Sequence, residues 1–427
     1  MKAFYDKRKY DLLDIAFLIF VVWSAGGATS YQGYLYSPNS ITTIPIVLVC
    51  MYMLHRKKCT YFNPLLLKIV FLLLVWGAVG TYCMGYNCHY FYLIYNIFLA
   101  YTLLKVFGVD VFRYYEKIVT GLSLIALVAF FAVVAIPSLG GLLKAVSIEN
   151  SGSLWESNVL LFGIQYIDPS AAVIFPRRNL GFAWEPGRFA VLIVMAMFIN
   201  LVTHGYKLKG NSNFWILFVT LITTQSTTGY ACGAFVFLLY FYNSKYKPLV
   251  IPASVVVLLV FTSLSFMNEK IAETWNWQEN QAADFASQMD YYSREDIAFV
   301  PQRFEGMFYD ILNFIHSPLW GYGIDWRNSY VNTVMFPGGR IYASDGAVQI
   351  FASCGLLVAL GLYYLLYKTS VTVSSVFSSK GKWAYFILFT LVNFSYNFWA
   401  ITIFTTFLFY PIFTNEKIQA KCHNRGL

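Results

Sequence analysis

The sequence predicts an all-α, polytopic membrane protein, and three observations support this fold class. First, 58% of the 427 residues are hydrophobic and only 12% are charged, which is typical of membrane proteins rather than of soluble domains. Second, apolar runs recur along nearly the whole chain, and runs of this kind cross a bilayer as helices because their backbone groups must be satisfied internally. Third, basic residues concentrate in alternate connections between the runs, as the positive-inside rule describes.

Twelve membrane-spanning helices are predicted from these apolar runs. They lie near residues 12–30, 38–54, 65–83, 90–107, 117–137, 189–203, 212–225, 229–243, 248–266, 344–367, 383–396 and 398–414. The pairs 212–243 and 383–414 are short for two crossings, because one crossing needs about 20 residues. Each pair is therefore interpreted as a tilted or partly re-entrant hairpin.

The spans divide the chain into five regions and give it a sidedness. The regions are 1–137 with spans 1–5, the outer loop 138–188, 189–266 with spans 6–9, the large extracytoplasmic loop 267–343, and 344–427 with spans 10–12 and a cytoplasmic tail. With the N-terminus in the cytoplasm, 21 of the 30 basic residues lie inside and 9 outside, whereas 6 acidic residues lie inside and 15 outside. The net charge of +9 therefore reflects orientation and attraction to anionic lipid, and nothing in the sequence suggests nucleic-acid binding.

The N-terminal stretch and the cysteines add two smaller expectations. Lys2 to Lys9 followed by the first span predicts a retained signal anchor rather than a cleaved signal peptide. Of the seven cysteines, Cys83 and Cys88 are placed outside. A small disulfide between them and two free thiols at helix ends are both open interpretations. The five histidines are scattered and the outer carboxylates lack calcium-loop spacing, so neither a metal nor another cofactor is predicted.

The first outer loop ends in a charged stretch at the mouth of a helix. "RRNLGFAWEPGRFA" (177–190) places Arg177, Arg178, Arg188 and Glu185 directly before an apolar run. Arginine has no topological use on the outer side, and guanidinium binds phosphate oxygens bidentately. The stretch therefore predicts a pyrophosphate site at the outer headgroup level. The alternative is that Arg188 reaches lipid headgroups and Glu185 only pairs with Arg178.

The large loop contains a predicted helix and a group of aromatic residues. "RFEGMFYDILNFIH" (303–316) has an apolar stripe at helical spacing, and this stripe predicts a helix that lies on the bundle or in the headgroup layer. The stripe comprises Phe304, Met307, Phe308, Ile311, Leu312 and Ile315. "SPLWGYGIDW" (317–326) then predicts tight turns at its Pro and Gly residues. Trp275 and Trp277, far from any span, are candidates for stacking on sugar rings, whereas most other aromatics fit an interface belt.

At this point the sequence shows a resemblance to a known family. The stretch 177–190 resembles the Arg-x-x-Gly-x-x-x-Glu-Pro-x-x-x-Ala signature of O-antigen polymerases (Wzy) and related exopolysaccharide polymerases. The matching positions are Arg178, Gly181, Glu185, Pro186 and Ala190. Three further pieces agree in order: "TQSTTGYACG" (224–233), the segment 303–326, and the helix 344–367 after the large loop.

The resemblance implies a glycosyltransferase with a GT-C-like helical bundle in the bacterial inner membrane, with both termini cytoplasmic. Such enzymes transfer a growing glycan from undecaprenyl pyrophosphate to the non-reducing end of a new lipid-linked repeat unit at the outer face. The implied partners are the undecaprenyl-pyrophosphate-linked oligosaccharide, membrane lipid and a chain-length regulator protein. The family is regarded as independent of metals, in agreement with the scattered histidines.

Roles for individual residues follow from the arginine pattern together with the resemblance. The expected pyrophosphate-binding residues are Arg177, Arg178, Arg188 and Arg303. The candidates for the catalytic base, or for alignment of the acceptor, are Glu185, Asp345 and His316. The candidates for other substrate contacts are Ser226, Thr228, Arg327, Arg340, Trp275 and Trp277. For Asp345 the alternative is a capping role at the start of a helix.

Two other functions are weighed against the polymerase. O-antigen ligases carry a histidine followed by asparagine near the start of the helix after the large loop, where this chain has Ser344 and Asp345. This departure favours a polymerase. A lipid-linked glycan flippase would place ionisable groups near the bilayer midplane. The predicted spans contain almost none, and the charges lie in the outer loops instead.

Overall fold

The computed structural model describes most of the chain, and the described part is predominantly helical. It covers residues 10–27, 43–59, 63–88, 90–145, 155–166, 177–252, 254, 301, 303–323, 325–337, 341–342, 346–399 and 401–414. Within it, the helices in chain order are α1 (Leu12–Ser24), α2 (Thr43–Arg56), α3 (Pro64–Met84), α4 (Phe91–Phe107), α5 (Asp110–Ala135), α6 (Ser138–Ala145), α7 (Pro186–Thr203), α8 (Ser212–Thr224), α9 (Thr227–Asn243), α10 (Arg303–His316), α11 (Gln349–Val376), α12 (Ala384–Asn393) and α13 (Thr402–Phe413). Short 3-10 turns occur at Lys247–Leu249 and Trp326–Asn328, and a short π-helix at Val331–Met335.

A helix occupies the position of each predicted span except 248–266, most of which lies outside the described residues. Four of the described helices, α3, α5, α7 and α11, are long and apolar enough to cross a membrane on length and composition. Six others are apolar but shorter: α1, α2, α4, α8, α12 and α13. These helices are those of a membrane-embedded helical protein, whereas the count of twelve crossings stays a prediction.

Helix α7 forms the centre of the bundle. All residues from Phe189 to Val202 are buried, and the helix packs against α5, α8 and α9. A helix that is apolar around its whole circumference is expected in the middle of a bundle. One of its backbone carbonyls, that of Leu192, accepts a hydrogen bond of 3.0 Å from the Tyr115 hydroxyl of α5. Because α7 is enclosed by other helices, its first turn is held in a fixed position at the predicted outer end.

Polar side chains lock the predicted inner end of the bundle. The Glu116 carboxylate, buried in the second turn of α5, accepts hydrogen bonds from the side-chain amides of Asn200 (2.9 Å) and Asn213 (3.0 Å). On α1 the buried Asp14 pairs with Arg56 and Lys57 at the end of α2. Buried carboxylates are tolerated when they are paired in this way. These contacts join α5 to α7 and α8, and α1 to α2, near the basic segments that the charge pattern assigns to the cytoplasm.

The prediction of an all-α fold is corrected in the first outer loop. Residues 155–181 contain a three-stranded antiparallel sheet in the order β1 (Trp155–Val159), β2 (Phe162–Tyr166) and β3 (Arg177–Gly181). Strand β3 pairs with β2 so that Arg178 lies opposite Gln165. The β3 strand contacts α5, α7 and α8. The sheet therefore covers the ends of these helices and sets the position of the arginine-rich stretch.

Helix α11 is broken near its start, and a segment of the large loop fills the break. Gly355 has a φ of 75° and a ψ of 172°, a backbone conformation found essentially only in glycine. The Leu356 amide donates to the Pro318 carbonyl at 2.7 Å, and the Ala352 carbonyl accepts from the Tyr322 amide at 2.8 Å. Segment 317–323 thus supplies partners for backbone groups that the helix cannot satisfy at the break.

Replacement of Gly355 is predicted to destabilise the protein. A Cβ at this position would overlap the Leu319 carbonyl, and the backbone conformation alone would cost an alanine about 1–3 kcal/mol. We expect Gly355→Ala to lower the midpoint of thermal unfolding in detergent by several degrees. Gly361→Ala is the matched control, because this glycine of the same helix has nothing within 4 Å of a Cβ. Equal midpoints for the two variants would contradict the described break.

The sidedness can be tested with cysteines that the chain already contains. The structure has both Cys83 and Cys88 as free thiols, with Cys83 exposed and Cys88 buried. We expect a membrane-impermeant maleimide to modify Cys83 in intact spheroplasts without reductant, and peptide mapping by mass spectrometry to find Cys88 unmodified. Cys59, placed on the inner side by the charge pattern, should react only after permeabilisation. Modification of Cys59 and not of Cys83 in intact spheroplasts would reverse the predicted orientation.

Candidate functional site

Arg178 is held by two hydrogen bonds at the predicted outer end of the bundle. Its Nε donates to the Thr224 carbonyl at 3.1 Å and its terminal nitrogen donates to the Gln225 carbonyl at 2.9 Å. These two carbonyls end α8, so they have no partner within that helix. Burial lowers the pKa of the Arg178 guanidinium, an effect opposed by the nearby Tyr396 and Glu185. Arginine nevertheless stays protonated in proteins, so the structure holds a charged group in a largely buried place.

Strand β3 is attached to the bundle by side-chain contacts next to Arg178. The buried Asn179 amide donates to the Thr223 hydroxyl at 3.0 Å, and its carbonyl oxygen accepts from the Gly181 amide at 2.9 Å. Gly181 itself has a φ of 54°, and a Cβ there would overlap the Phe189 ring on α7. The strand therefore lies flat against α7 and α8. This attachment fixes the backbone from which the Arg178 side chain extends.

Glu185 stands at the N-cap position of α7, close to Arg178. Its backbone is extended, but its side chain makes no capping hydrogen bond to the helix. The carboxylate is instead close enough to Arg178 to favour the charged guanidinium. Pro186 begins the helix, where its missing N–H costs nothing. The sequence Glu-Pro-Gly thus presents a carboxylate beside the positive end of a buried helix.

Tyr396 closes the other side of this group. It lies in the connection between α12 and α13, and its hydroxyl is so close to Gly187 that a Cβ on the glycine would overlap it. The Tyr396 hydroxyl also lies near the Arg178 guanidinium. We use the name Arg178 cluster for Arg178, Glu185, Gly187, Gln225 and Tyr396. Its members come from β3, the start of α7, the α8–α9 turn and the α12–α13 connection.

The α12–α13 connection is itself tied to the start of α11. The Gly346 amide donates to the Asn393 carbonyl at 2.7 Å, and the Trp399 indole donates to the Gly346 carbonyl at 2.7 Å. The Asn397 side-chain amide donates to the Gln349 side chain at 2.7 Å. Asp345, a candidate base that immediately precedes Gly346, lies outside the described residues. Its neighbour in sequence nevertheless packs on the peptide that follows Tyr396.

The α8–α9 turn supplies the third side of the cluster. Gln225 adopts a left-handed conformation with a φ of 48°, and its side-chain amide donates to the Arg177 carbonyl at 2.9 Å. Ser226, a candidate for substrate contact, caps α9 by accepting from the Gly229 amide at 3.1 Å. Thr228, another candidate, has its hydroxyl 2.6 Å from that of Ser395. Both hydroxyls therefore have structural partners at the predicted outer end.

The other two arginines of the stretch have neighbours of their own. Arg188 donates from Nε to the Ala25 carbonyl at 2.7 Å, and its guanidinium lies against Gly27 just beyond the end of α1. Arg177 precedes Arg178 in a regular strand pair, so its side chain points to the opposite face of the sheet. The described contacts therefore do not gather the three guanidinium groups around one ligand. Among the three, only Arg178 lies in the Arg178 cluster.

The remaining candidates are distributed over the large outer loop. His316 ends α10 and stacks on the Tyr330 ring with the ring centres 3.4 Å apart, and no described contact joins it to Arg178. Arg327 pairs with Asp325 at 3.2 Å and its side chain is 72% exposed. Arg303 begins α10, but its side chain is not described. Arg340, Trp275 and Trp277 lie outside the described residues.

Sequence reasoning missed two members of the cluster and one buried acid. Gln225 lies in the stretch 224–233 that resembles the family, but only Ser226 and Thr228 of that stretch were named as candidates. Tyr396 lies at the end of predicted span 383–396, where a single polar residue carries no motif. The break in the apolar pattern at "SYN" (395–397) was the available signal for Tyr396. Glu116 precedes the predicted span 117–137 and was counted only among the acidic residues of the inner side. It lies six residues into α5, roughly 9 Å from the start at 1.5 Å per residue, and hence near the inner end of the helix rather than its middle.

The Arg178 cluster can bind an anion and position a hydroxyl. Two hydrogen bonds to carbonyls use two of the five guanidinium N–H donors of Arg178, and they hold its plane in place. The carboxylate of Glu185 and the phenol of Tyr396 lie nearby. A fixed cation beside a carboxylate, partly shielded from water, is suited to stabilise charge on a departing group. Among the described residues no group of three potential metal ligands is found.

Comparisons with protein-family models, curated proteins and solved structures found no match to this chain. The resemblance of residues 177–190 to the polymerase signature therefore stays a prediction. What the structure adds is independent of it: the motif residues Arg178, Glu185 and Pro186 lie together at one end of a buried helix.

The contact between Gly187 and Tyr396 gives a direct test of the cluster. We expect Gly187→Ala to lower the midpoint of thermal unfolding, because its Cβ would overlap the Tyr396 hydroxyl. The double variant Gly187→Ala/Tyr396→Phe removes that hydroxyl and should recover part of the loss. A double-mutant cycle that gives additive effects would mean that the two residues are not in contact. Gly361→Ala again serves as the control for the glycine-to-alanine change.

Proposed function

We propose that this protein is a polysaccharide polymerase that uses a lipid-pyrophosphate-linked glycan as its donor. The proposal places the reaction at the outer face of the bacterial inner membrane and assigns the leaving diphosphate to the Arg178 cluster. The single observation that carries it is the burial of the Arg178 guanidinium, fixed by two carbonyls, beside Glu185 and the start of α7. The resemblance of residues 177–190 to the polymerase signature supports the same assignment.

The fixed guanidinium fits the electrostatic demand of this reaction. When the glycan is transferred, the bond between the anomeric carbon and the diphosphate oxygen breaks, and the electron pair leaves on that oxygen. Little protonation is needed because a diphosphate is a good leaving group, but the growing negative charge must be stabilised. Arg178 is held by hydrogen bonds and needs no reorganisation as this charge develops. The positive end of α7 adds to the stabilisation.

A carboxylate serves the acceptor side of the same step. The acceptor hydroxyl must lose its proton as it forms the new bond to the anomeric carbon. The charge of Glu185 acts on the Arg178 guanidinium, and its side chain makes no capping hydrogen bond to α7. In the proposal Glu185 aligns or deprotonates the acceptor hydroxyl, and Tyr396 holds the opposite wall of the site. Asp345 and His316 stay as alternative bases.

The position of the ionisable groups favours an enzyme over a flippase. The buried carboxylates of α1 and α5, Asp14 and Glu116, are both paired close to the predicted inner ends of these apolar helices. Transport sites for charged substrates are expected near the midplane, between discontinuous helices. The described charges instead gather at the two ends of the bundle.

Single substitutions at Arg178 and Glu185 test the proposal in a strain that makes the cognate surface glycan. We expect Arg178→Ala to reduce polymer by on the order of 100-fold, the usual scale for loss of a preorganised donor at a charged transition state. Arg178→Lys should restore little, because an ammonium group cannot replace two hydrogen bonds in one plane. Glu185→Ala should have the same direction of effect.

Arg113→Ala is the matched control for these variants. Arg113 lies on α5, near the predicted cytoplasmic surface, where it is 3.8 Å from Asp110, and its loss should leave polymer length unchanged. Loss of polymerase activity leaves single repeat units attached to the lipid A core. A bare core with polymer accumulated on the carrier lipid would identify a ligase, and repeat units trapped inside would identify a flippase. Unaltered chain length in well-expressed Arg178→Ala and Glu185→Ala variants would exclude the proposed site.

A further inference from the structure

Helix α10 faces outward with its apolar side and inward with its polar side. Phe308 is 46% exposed, Ile315 is 61% exposed, and Ile311 lies between them on the same stripe with 37% exposure. These positions follow the i, i+3, i+7 spacing of one helix face. An amphipathic helix on a water-soluble surface has the opposite orientation, because its apolar residues are removed from water.

The polar face of the same helix is buried in specific contacts. Asp310 is only 1% exposed and accepts a hydrogen bond from the Asn313 side chain at 3.4 Å. Asn313 in turn accepts from the Val331 amide at 3.0 Å. Tyr309 donates to the Glu305 carboxylate at 3.2 Å. Two of these bonds lie within α10, whereas the bond from Val331 joins the helix to the rest of the outer loop. Tyr309 also packs with Val331 and Ile341 of that loop, and these contacts set the orientation of α10.

The exposed apolar stripe of α10 continues onto the lipid-facing side of a membrane-spanning helix. Leu319, 50% exposed, follows α10 and enters the break in α11, where its carbonyl lies against Gly355. Directly beyond the break, Leu357 and Leu360 are also exposed on α11, one of the four helices long and apolar enough to cross a membrane. His316 and Ser317 separate Ile315 from Leu319 in the chain. Helix α10 nevertheless packs on the start of α11, with the ring centres of Phe314 and Phe351 5.7 Å apart, and Leu319 brings exposed apolar surface to the break.

We infer that α10 is embedded in the outer leaflet, with Phe308, Ile311 and Ile315 in contact with lipid acyl chains. The helix is not a lid that moves in water, but the edge of the large loop that lies in the bilayer interface. Continuity with the exposed face of α11 identifies the occupant as lipid, since that face of a spanning helix borders acyl chains. The polar face of α10 then points toward the protein at headgroup depth. This inference does not depend on the proposed polymerase activity.

The apolar stripe has two alternative neighbours, protein and water, which differ in the molecules that contact Phe308 and Ile315. A second copy of this chain, or a partner protein, would place polypeptide next to Phe308 and Ile315. An aqueous surface would leave both side chains in water, at the cost of exposing a contiguous apolar patch. Lipid is favoured because the same patch runs onto α11.

Photo-crosslinking of the full-length protein in lipid nanodiscs tests this assignment. p-Benzoylphenylalanine is introduced at Phe308, where it replaces an aromatic ring, and separately at Ile315. The matched control is the same residue at Arg327, a position in the same outer loop whose side chain is 72% exposed and paired with Asp325. Nanodiscs of a single phosphatidylglycerol–phosphatidylethanolamine composition are irradiated, and intact-protein mass spectrometry measures the fraction of protein that gains the mass of one phospholipid.

We expect lipid adducts at positions 308 and 315 with a yield several-fold higher than at position 327. Crosslinks that join two copies of the chain at 308 and 315 would overturn the proposal in favour of a protein interface. Lipid adduct yields at 308 and 315 no higher than at 327 would overturn it in favour of a surface in water. Each variant is first checked by size-exclusion chromatography, and the two positions on one stripe allow the test to stand if one variant fails to fold.

Discussion

The structure depends on one constraint: backbone groups at a break in a buried or membrane-spanning helix must find partners from elsewhere in the chain. One break and two helix–helix connections at the predicted outer end satisfy this constraint in different ways. At Gly355 the amides and carbonyls of α11 pair with segment 317–323. At the end of α8 two carbonyls are paired by Arg178. Between α12 and α13 the Asn393 carbonyl pairs with Gly346.

This constraint also explains why a candidate site lies where it does. A guanidinium that satisfies two helix-end carbonyls is fixed and partly desolvated, and the same two properties make it effective toward an anion. Tyr396 is brought against Gly187 because the α12–α13 connection is anchored on the start of α11 through Asn397 and Gln349. The residues that complete the helix ends are therefore the residues that bound the Arg178 cluster. Structural and functional roles of Arg178 are not alternatives in this arrangement.

The sequence predicted helix positions well because apolar runs and their basic flanks carry that information directly. It did not predict the sheet, because the β1–β2 turn is Leu160-Leu161 rather than an Asn-Gly or Asp-Gly pair, so no hairpin signal was present. The apolar stripe on α10 was predicted, but the direction in which it faces was not. The spacing of apolar residues is the same for a face that packs on protein and for a face that contacts lipid. Arg178 and Glu185 were found from their types and spacing. Tyr396 was not, because its place depends on how distant helices pack.

The interlock around Trp320 has a consequence for the order of assembly in the membrane. The Trp320 ring packs on Trp76 in a tilted arrangement with ring centroids 4.1 Å apart, and Tyr86 donates to the Gly321 carbonyl across 235 positions of sequence. Segment 317–323 also pairs with α11, so the full set of its contacts is complete only after this late helix has been synthesised. Synthesis therefore passes through a stage in which the early helices are made while segment 317–323 still lacks its partners on α11. This part of the predicted outer end is completed last.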